Sequence, residues 1–538
     1  MTATRAPTAP TITEISSRYI DELAAADPVR AVRLGLDRDS TALTDYSPAG
    51  VERIAELYRR TAGDLRATEP VDEPERLGKL FLLDAIEGLL GIIEAGETER
   101  QVSVLSAPTS SVRVVFDLMP RETGDDLARL GVRLANVPAA LAGYRQSLEA
   151  GLAVGHAAPR PSVLAVADQC ATWAEGYFAS FPPAVDGPAR EAGAAYAALG
   201  SWLRTTYAPA ASDELGCGED RYRVWGRFML GTDLDLDDTY AWGWDELARI
   251  EAEKAAVCEQ IVPGSGYEEA RDHLNADPDQ LLHGADAYRD WLQEISDGAT
   301  ARLNGWQFDI PEPLLRCEIG IPPEGSAAAA YYTPPSEDLS QPGRTWFPTV
   351  GKTVFTKWDQ VTIAYHEAVP GHHLQLGMTR LLPLTRAHKL GFHSAHGEGW
   401  ALYAERLMDE LGLFASPAER LGFLSSQAFR AVRVVIDIGL HTGRPLPDGR
   451  AWTPALASEL LQRHGGYPKP FTDSEVLRYI SWPAQATTYK LGERAWLAGR
   501  EAAQRAGGAD FDLKRWHAAA LALGALGLRD LESELARC

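Results

Sequence analysis

The sequence contains few cysteines, no signal-peptide core and no long apolar run. Its five cysteines are scattered among 538 residues and form no CxxC pair, which is typical of reduced thiols and unlike a disulfide framework or a thiolate zinc site. The N-terminal segment has no apolar stretch of signal-peptide length. The longest apolar runs, at residues 80–90 and 518–526, are too short or too interrupted to span a bilayer. We therefore expect a cytoplasmic protein that does not enter a membrane.

Positive charge is also scarce. The chain carries 52 basic against 75 acidic residues, which gives a net charge of -23. Nucleic-acid binding needs a basic surface that displaces counterions from the phosphates. A composition of 45% hydrophobic and 24% charged residues is that of an ordinary globular protein. We therefore expect neither a nucleic acid nor a membrane as a partner, and we interpret the acidic charge as favouring solubility.

Helical periodicity dominates the pattern of apolar residues. They recur at three- and four-residue steps, as on one face of a helix, in the segments 51–65, 76–95, 127–151, 162–181, 240–261, 287–303, 418–440, 474–506 and 513–535. Residues 222–230 have the composition of a strand, and 316–321, 328–333 and 345–354 are predicted to form a small sheet. The pattern predicts a mainly α fold.

The length of the chain exceeds what one hydrophobic core normally supports. We therefore expect a large two-lobed helical body with a central cleft, and a small β-sheet near the active site. A division is predicted near residue 330. Residues 1–330 would form a helical scaffold, and residues 331–538 would carry the chemical groups.

Histidine is concentrated in one short region. Six of the 12 histidines fall between residues 366 and 396. In the HExxH motif of zinc peptidases, histidines at i and i+4 share one face of a helix, and the glutamate acts as base on water. Here the residue at i+4 from His366 is Pro370, and the next histidines come at i+6 and i+7. An unbroken helix would turn i+6 away and place i+7 about 10 Å along the axis.

The Pro-Gly pair between the histidines predicts a break in the helix. Pro370 has no N–H, and its ring clashes with the carbonyl four residues earlier. Gly371 then permits a turn that other residues resist. The segment therefore resembles an HExxH motif with a kink, in which a second histidine swings back toward His366. His372 directly follows the glycine and is the preferred second ligand, with His373 as the alternative. Imidazole nitrogen and carboxylate oxygen are the usual ligands of catalytic zinc.

Two motifs carry a specific family resemblance. HEAVPGHHLQ at 366–375, followed by EGWALYAE at 398–405, resembles the signature of a large bacterial family described as a domain of unknown function. That family carries an HExxPGHH motif and is grouped with the helical gluzincin-type metallopeptidases. The resemblance extends over nearly the whole chain, with weaker support from 331–335, 430–441 and 483–492. It implies one Zn²⁺ per chain and hydrolytic activity.

The resemblance also implies roles for particular residues. His366 would be the first zinc ligand and Glu367 the general base. Glu398 would be the third ligand, as in a gluzincin arrangement. Glu405 lies two turns beyond Glu398 on the same helical face, so we expect it to support a ligand from behind. His396 is expected to lie beside the cleft and not on the metal, because three protein ligands already complete a catalytic site.

Further residues are assigned to the substrate and the transition state. Helical metallopeptidases use downstream Tyr and His groups to stabilise the oxyanion, which implies Tyr489 and His441 here. Arg433 and Asp437 lie at i and i+4, so they are predicted to pair, or Asp437 to orient a zinc histidine. One of the arginines Arg344, Arg433 and Arg478 would hold a substrate carboxylate in a bidentate fork.

Three functions are consistent with these motifs. The first is a metallopeptidase of carboxypeptidase or dipeptidase type that acts on short peptides, with the predicted strand at 345–354 available to pair with a peptide backbone. The second is a zinc amide or ester hydrolase that acts on a small metabolite in a biosynthetic pathway. The third is a non-catalytic helical binding protein with a degenerate site, and retention of the full set of ligands and base argues against it.

Overall fold

The computed structural model describes residues 10–36, 40–322 and 329–538. The fold is mainly α, with 69% of residues in helices, and this confirms the predicted fold class. In the first half of the chain the helices are α1 (Ile12–Ala26), α2 (Pro28–Arg33), α3 (Pro48–Ala67), α4 (Glu73–Glu94), α5 (Pro108–Asp117), α6 (Gly124–Ala135), α7 (Val137–Ala153), α8 (Arg160–Thr172), α9 (Asp186–Trp202), α10 (Ala208–Ala210), α11 (Glu219–Leu230) and α12 (Leu236–Ile261).

The second half continues the helical pattern. Its helices are α13 (Tyr267–Ala276), α14 (Ala285–Leu303), α15 (Val361–Glu367), α16 (His372–Leu381), α17 (Arg386–Leu390), α18 (Ser394–Glu410), α19 (Pro417–Thr442), α20 (Pro454–Gly465), α21 (Lys469–Ser481), α22 (Thr488–Gly507), α23 (Leu513–Ala522) and α24 (Leu528–Leu535). Short 3-10 or π turns lie at Thr98–Arg100, Trp173–Tyr177, Phe178–Ser180, Pro183–Val185, Leu203–Tyr207, Pro278–Gln280, Glu312–Leu314, Gln485–Thr487 and Gly508–Asp510. Within the described ranges, no helix is both long and apolar enough to cross a membrane.

The first of two compact units contains the described residues up to Phe228, joined by Thr385–Leu390 and Leu477–Pro483. In its core α9 packs against α6, α7 and α8. Tyr144 and Tyr196 lie inside this core, and each hydroxyl donates a hydrogen bond of 2.7 Å to a backbone carbonyl. The tyrosine rings therefore add buried apolar area without leaving an unsatisfied polar group.

The second compact unit comprises Met229–Leu384, Gly391–Val476 and Ala484–Cys538. Its central helices are α19, which packs along α12, and α18, which packs along α22. The N-terminus of α19 is capped by the Ser416 hydroxyl, which accepts from a backbone N–H of the first turn. Every residue of α19 from 421 to 441 is buried, which makes it the axis of the unit's core.

The boundary between the units differs from the predicted division near residue 330. Residues 229–330 belong to the second unit, together with five of the six clustered histidines, whereas His388 belongs to the first unit. The physical reason is packing, because α12 lies along α19 and α14 contacts both α15 and the strand at 318–320. Helical periodicity locates the helices, but it does not show which distant helix each one packs against.

The short strands form two small sheets in the second unit. The strands are β1 (Leu281–His283), β2 (Glu318–Gly320), β3 (Tyr331–Thr333), β4 (Arg344–Trp346) and β5 (Val354–Thr356). In one sheet β4 lies between a parallel β2 and an antiparallel β3, with Thr345 opposite both Ile319 and Tyr332. In the other, β1 pairs antiparallel with β5. The segment predicted as one strand at 345–354 therefore contains parts of two strands, β4 and β5, which lie in different sheets. Residue 328 of the predicted strand 328–333 lies outside the described residues.

The predicted strand at 222–230 is wrong. This segment belongs to helix α11. Tyr222, Trp225 and Met229 recur at helical spacing and are all buried, so a helix removes all three from water on one face. Burial of that face outweighs the strand propensity of its aromatic and β-branched residues.

Candidate metal centre

The Pro-Gly segment produces a sharp turn between two short helices. Helix α15 ends at Glu367 and α16 begins at His372, and the peptide bond before Pro370 is cis. A Cβ atom at Gly371 would lie 1.9 Å from the carbonyl oxygen of His366, so only glycine fits here. The predicted kink is therefore present, and it brings the start of α16 back against the end of α15.

A buried tryptophan fastens this turn to the next helix of the site. The Trp400 indole N–H lies 2.9 Å from the carbonyl oxygen of Pro370 and 3.2 Å from that of Gly371, and it donates to both. Trp400 is on α18, two residues after Glu398. The same contact that holds the turn therefore also fixes the helix that carries the predicted third ligand.

Two imidazoles and one carboxylate converge at the turn. The Oε2 atom of Glu398 lies 3.4 Å from Nε2 of His366 and 3.5 Å from Nε2 of His372. The two imidazole rings are nearly perpendicular, with centroids 4.9 Å apart. Glu367 is part of the same buried cluster, because His366, Glu367 and His372 each offer a ligand atom within 4.8 Å of the others.

The spacing of these atoms fits a metal ion better than direct hydrogen bonds. Ligands on a tetrahedral zinc, at about 2.1 Å from the ion, lie about 3.4 Å from one another. An N–H···O hydrogen bond is typically about 2.9 Å. Among the described residues, Oε2 of Glu398 and Oε2 of Glu367 are buried without a hydrogen-bond partner. Orphaned buried carboxylate oxygens beside two imidazoles are what a divalent cation would satisfy.

The electrostatics of the cluster also favour a cation. Burial alone would lower the pKa of His366, but the carboxylates of Glu398 and Glu405 outweigh it and raise that pKa to about 9. Burial would raise the pKa of Glu398, yet the imidazoles of His366 and His372 hold it well below its usual range. Without a metal, a proton on His366 supplies the missing positive charge, and a metal ion would displace it.

Glu367 has a different environment from Glu398. Burial in the cluster is the main cause that raises its pKa above the ordinary glutamate value. A carboxylate with a raised pKa is a better proton acceptor near neutral pH than an exposed one. The arrangement therefore places an acceptor of protons directly beside the candidate ligands.

Glu405 contacts the ring nitrogen of His366 that does not face Glu398, and so has the supporting position expected for it. Its Oε1 atom lies 2.7 Å from Nδ1 of His366, and its Oε2 accepts a 2.6 Å hydrogen bond from the Thr362 hydroxyl. Nδ1 therefore donates a proton to Glu405, which leaves Nε2 as the ring nitrogen that a metal ion would bind. Thr362 was not among the predicted site residues, although it is four residues before His366 and so on the same face of α15.

His373 points into a different environment from His372. Its Nδ1 lies 3.0 Å from the Tyr332 hydroxyl and its Nε2 3.1 Å from the Leu314 carbonyl oxygen, so both ring nitrogens already have protein partners. Burial lowers the pKa of His373 to about 4, which keeps it neutral. His372 is thus the histidine at the cluster, and His373 joins α16 to strand β3.

Tyr489 borders the cluster on the side of α22. The centroid of its ring lies 6.3 Å from that of the His366 ring, and the two rings are nearly parallel. The guanidinium of Arg433 lies 4.2 Å from the centroid of the Tyr489 ring. The approach of α22 to α18 depends on two glycines, because a Cβ atom at Gly492 would lie 2.7 Å from Cα of Gly399. The structure therefore places Tyr489 beside the candidate ligand His366, and Arg433 against the Tyr489 ring.

Two predicted residues form a separate pair on α19. Oδ1 of Asp437 lies 3.9 Å from Nε2 of His441, and Oδ2 accepts a 2.9 Å hydrogen bond from the backbone N–H of Ala484. Ala484 has a left-handed backbone, φ 63°, in the turn before α22. Asp437 therefore contacts the segment that leads to Tyr489, while the carboxylate beside the candidate ligand His366 is Glu405.

Three other predicted residues have contacts of their own. His396 accepts from the backbone N–H of Leu526 at 3.3 Å and packs against a tryptophan of α22. Arg344, on β4, pairs with Glu318 across the sheet. Arg478 is in the first unit, where its guanidinium lies 5.1 Å from the ring of the next residue. The partners of His396 and Arg344 could not be predicted from the sequence, because these contacts join distant segments of the chain.

Fold and site together define a helical protein with a buried His–Glu cluster suited to a metal ion. The chain belongs to the family described as "Bacterial protein of unknown function (DUF885)", whose model matches residues 28–535. The family resemblance seen in the sequence is thereby confirmed at the level of the family. No curated protein matches the chain.

Solved structures share the fold over nearly the whole chain. A crystal structure of a candidate lipoprotein from Colwellia psychrerythraea has a TM-score of 0.85 and 22% identity, with 98% of this chain and 99% of that chain covered. A candidate lipoprotein of unknown function from Shewanella oneidensis has a TM-score of 0.73 and 17% identity, with the same coverage. At these identities the likeness establishes the fold alone.

Proposed function

We propose that this protein is a zinc-dependent hydrolase, and specifically a metallopeptidase that cleaves short peptides. The observation that carries the proposal is the convergence of Nε2 of His366, Nε2 of His372 and Oε2 of Glu398, with Glu367 next to the first ligand. Three protein ligands from imidazole and carboxylate leave a fourth zinc position for water or substrate, as in catalytic sites.

In this proposal Zn²⁺, when bound, supplies a Lewis acid that polarises the scissile carbonyl and makes water nucleophilic near neutral pH. Glu367 takes a proton from the attacking water as the new C–O bond forms. It then gives that proton to the leaving nitrogen as the C–N bond breaks, so the carboxylate is regenerated. Burial of Glu367 raises its pKa and so suits it to both transfers.

Tyr489 and Arg433 are the proposed groups for the substrate. Tyr489 lies beside His366 and is the proposed donor to the developing oxyanion. Arg433 is buried against its ring and carries the positive charge that a substrate carboxylate would need. This pairing favours a carboxypeptidase or dipeptidase over an enzyme that cleaves within long chains.

A small acylated metabolite is the alternative substrate class. The same ligands and base would hydrolyse an amide or ester of a metabolite, so the two classes differ only in what Arg433 and its surroundings recognise. A screen of dipeptides and tripeptides, each with a free or amidated C-terminus, against acylated small molecules separates them. Release of amino acids only from peptides with a free C-terminus would support the peptidase. Turnover confined to acylated metabolites would exclude the peptidase and support the metabolite hydrolase.

The cytoplasm is the proposed location of the enzyme. The five cysteines are free thiols, which suits a reducing compartment. The description of both structural neighbours as candidate lipoproteins favours a lipid-anchored location instead. Cell fractionation decides between the two, because an anchored protein would sediment with membranes and a cytoplasmic one would not.

The central experiment compares Glu367→Gln with the matched surface variant Glu268→Gln. Metal analysis should find one zinc per chain in the wild type and in both variants. Turnover of short peptides should fall by about 10²–10⁴-fold in Glu367→Gln, the usual range for loss of a general base. It should be unchanged in Glu268→Gln, because Glu268 is exposed on α13. Unchanged turnover in Glu367→Gln, or a wild type that holds no zinc, would refute the proposal.

A further inference from the structure

We propose that Arg430 is a positioning residue for the metal centre, which holds the Glu405 carboxylate in the orientation that turns Nε2 of His366 toward the ion. The inference rests on the proposed zinc site and deepens it, because it assigns a residue that touches neither metal nor substrate. It concerns metal binding and not the hydrolytic step, so the two proposals can fail separately.

The Glu405 side chain is fully buried, and a buried carboxylate needs both hydrogen bonds and a counter-charge. His366 and Thr362 supply hydrogen bonds, one to each carboxylate oxygen. Neither supplies a permanent positive charge, because a zinc-bound imidazole is neutral and a hydroxyl is uncharged.

Arg430 is a buried cation on α19 that lies near Glu405. Its Nη2 atom lies 4.0 Å from Oε1 of Glu405. Its Nη1 donates to the carbonyl oxygen of Ser426 at 3.3 Å and also to the Ser426 hydroxyl. That hydroxyl lies 3.5 Å from Oε2 of Glu405. Arg430 therefore acts on both oxygens, on one through its charge and on the other through Ser426.

This role requires the forked shape of a guanidinium. The guanidinium uses two separate nitrogens, one toward Glu405 and one toward Ser426. It also lies 5.7 Å from the centre of the Tyr489 ring. A lysine ammonium is a single point charge, so it could supply the charge but not both contacts at once. Arg430→Lys should therefore retain part of the function, whereas Arg430→Met should lose it.

The test measures zinc affinity of the full-length protein by competition with a chromophoric chelator. Loss of a group that orients a metal ligand typically weakens metal binding by about 10–100-fold, and we expect this for Arg430→Met, with a smaller loss for Arg430→Lys. The matched control is Arg420→Met. Arg420 also joins α19 to α18, through a 2.9 Å contact with Asp409, and should leave zinc affinity unchanged.

A double-mutant cycle separates positioning from a general loss of stability. If Arg430 acts through Glu405, Arg430→Met should weaken zinc binding little further in a Glu405→Gln background. Wild-type affinity in both Arg430 variants, or losses that simply multiply in the double variant, would overturn the inference. If Arg430→Met does not fold, wild-type affinity in Arg430→Lys alone would overturn it.

The outcomes also distinguish this inference from the proposed function. A wild-type protein that binds no zinc would overturn both. A wild type that binds zinc but hydrolyses no substrate would overturn the hydrolase alone, and the affinity series would still decide the role of Arg430.

Discussion

At the scale of single residues, two adjacent histidines have opposite surroundings. His372 faces Glu398, whereas His373 is held by Tyr332 and the Leu314 carbonyl. Loss of a group that supports a ligand typically weakens metal binding by about 10–100-fold. We expect His372→Ala to weaken zinc binding by more than this, because His372 is itself a proposed ligand. His373→Ala should leave zinc stoichiometry at one per chain.

The cost of His373→Ala should appear in stability instead. It leaves a buried hydroxyl and a buried carbonyl without their partner, and each such group costs about 1–3 kcal/mol. Denaturant unfolding of the zinc-free variants, together with zinc titration, checks both effects. The reverse pattern, with zinc lost in His373→Ala and kept in His372→Ala, would exchange the roles of the two residues.

The raised pKa of His366 predicts a pH dependence of metal binding. With its pKa at about 9, zinc must displace a proton from His366 at every pH below that value. Apparent zinc affinity should therefore fall about tenfold for each pH unit below about 9 from this group alone. In Glu405→Gln one neighbouring anion is lost, so the pKa of His366 falls and the decline should begin at a lower pH. Affinity that is flat between about pH 7 and pH 9 in the wild type would contradict this.

At the scale of elements, the site depends on the turn between α15 and α16. Gly371→Ala would place a Cβ atom 1.9 Å from the His366 carbonyl oxygen, and the turn would have to shift. We expect a loss of about 1–3 kcal/mol in the free energy of unfolding, as for other overpacked sites, and a large loss of zinc affinity. Gly298→Ala is the matched control, because Gly298 lies in α14 with open space around it.

The control should have the opposite sign. Alanine is favoured over glycine inside a helix by about 0.5–1 kcal/mol, so Gly298→Ala should stabilise the protein and leave zinc binding unchanged. Chemical denaturation and zinc titration of both variants measure the two effects. Normal zinc affinity in Gly371→Ala would show that the turn does not set the spacing of the ligands.

The same elements show what the sequence could and could not predict. The kink follows from the backbone chemistry of Pro370 and Gly371 alone, so it was predictable. The break between α21 and α22 within the predicted segment 474–506 also has a local cause, in the turn that contains Pro483. Arg430 was not found as a partner of Glu405, because that contact joins α19 to α18 and no spacing along one helix reveals it.

At the scale of the whole molecule, the proposed zinc ligands His366, His372 and Glu398 all belong to the second compact unit. The first unit has a buried core of its own. A ligand that binds only the folded state stabilises it by about 2.7 kcal/mol when its concentration is 100 times its Kd. That free energy corresponds to about a 100-fold slowing of exchange for amides exposed only by unfolding of the unit that binds. Zinc should therefore slow hydrogen exchange most in helices such as α19.

Helix α7 of the first unit provides the internal comparison in that experiment. If the first unit unfolds independently, exchange in α7 should not respond to zinc, whereas α15, α16 and α19 should. His372→Ala supplies the chemical control, since zinc should then slow neither set. Equal slowing in α7 and α19 would mean that the two units unfold as one, so the free energy of the metal site would be shared by the entire fold. No slowing anywhere in the wild type would mean that the His–Glu cluster binds no zinc.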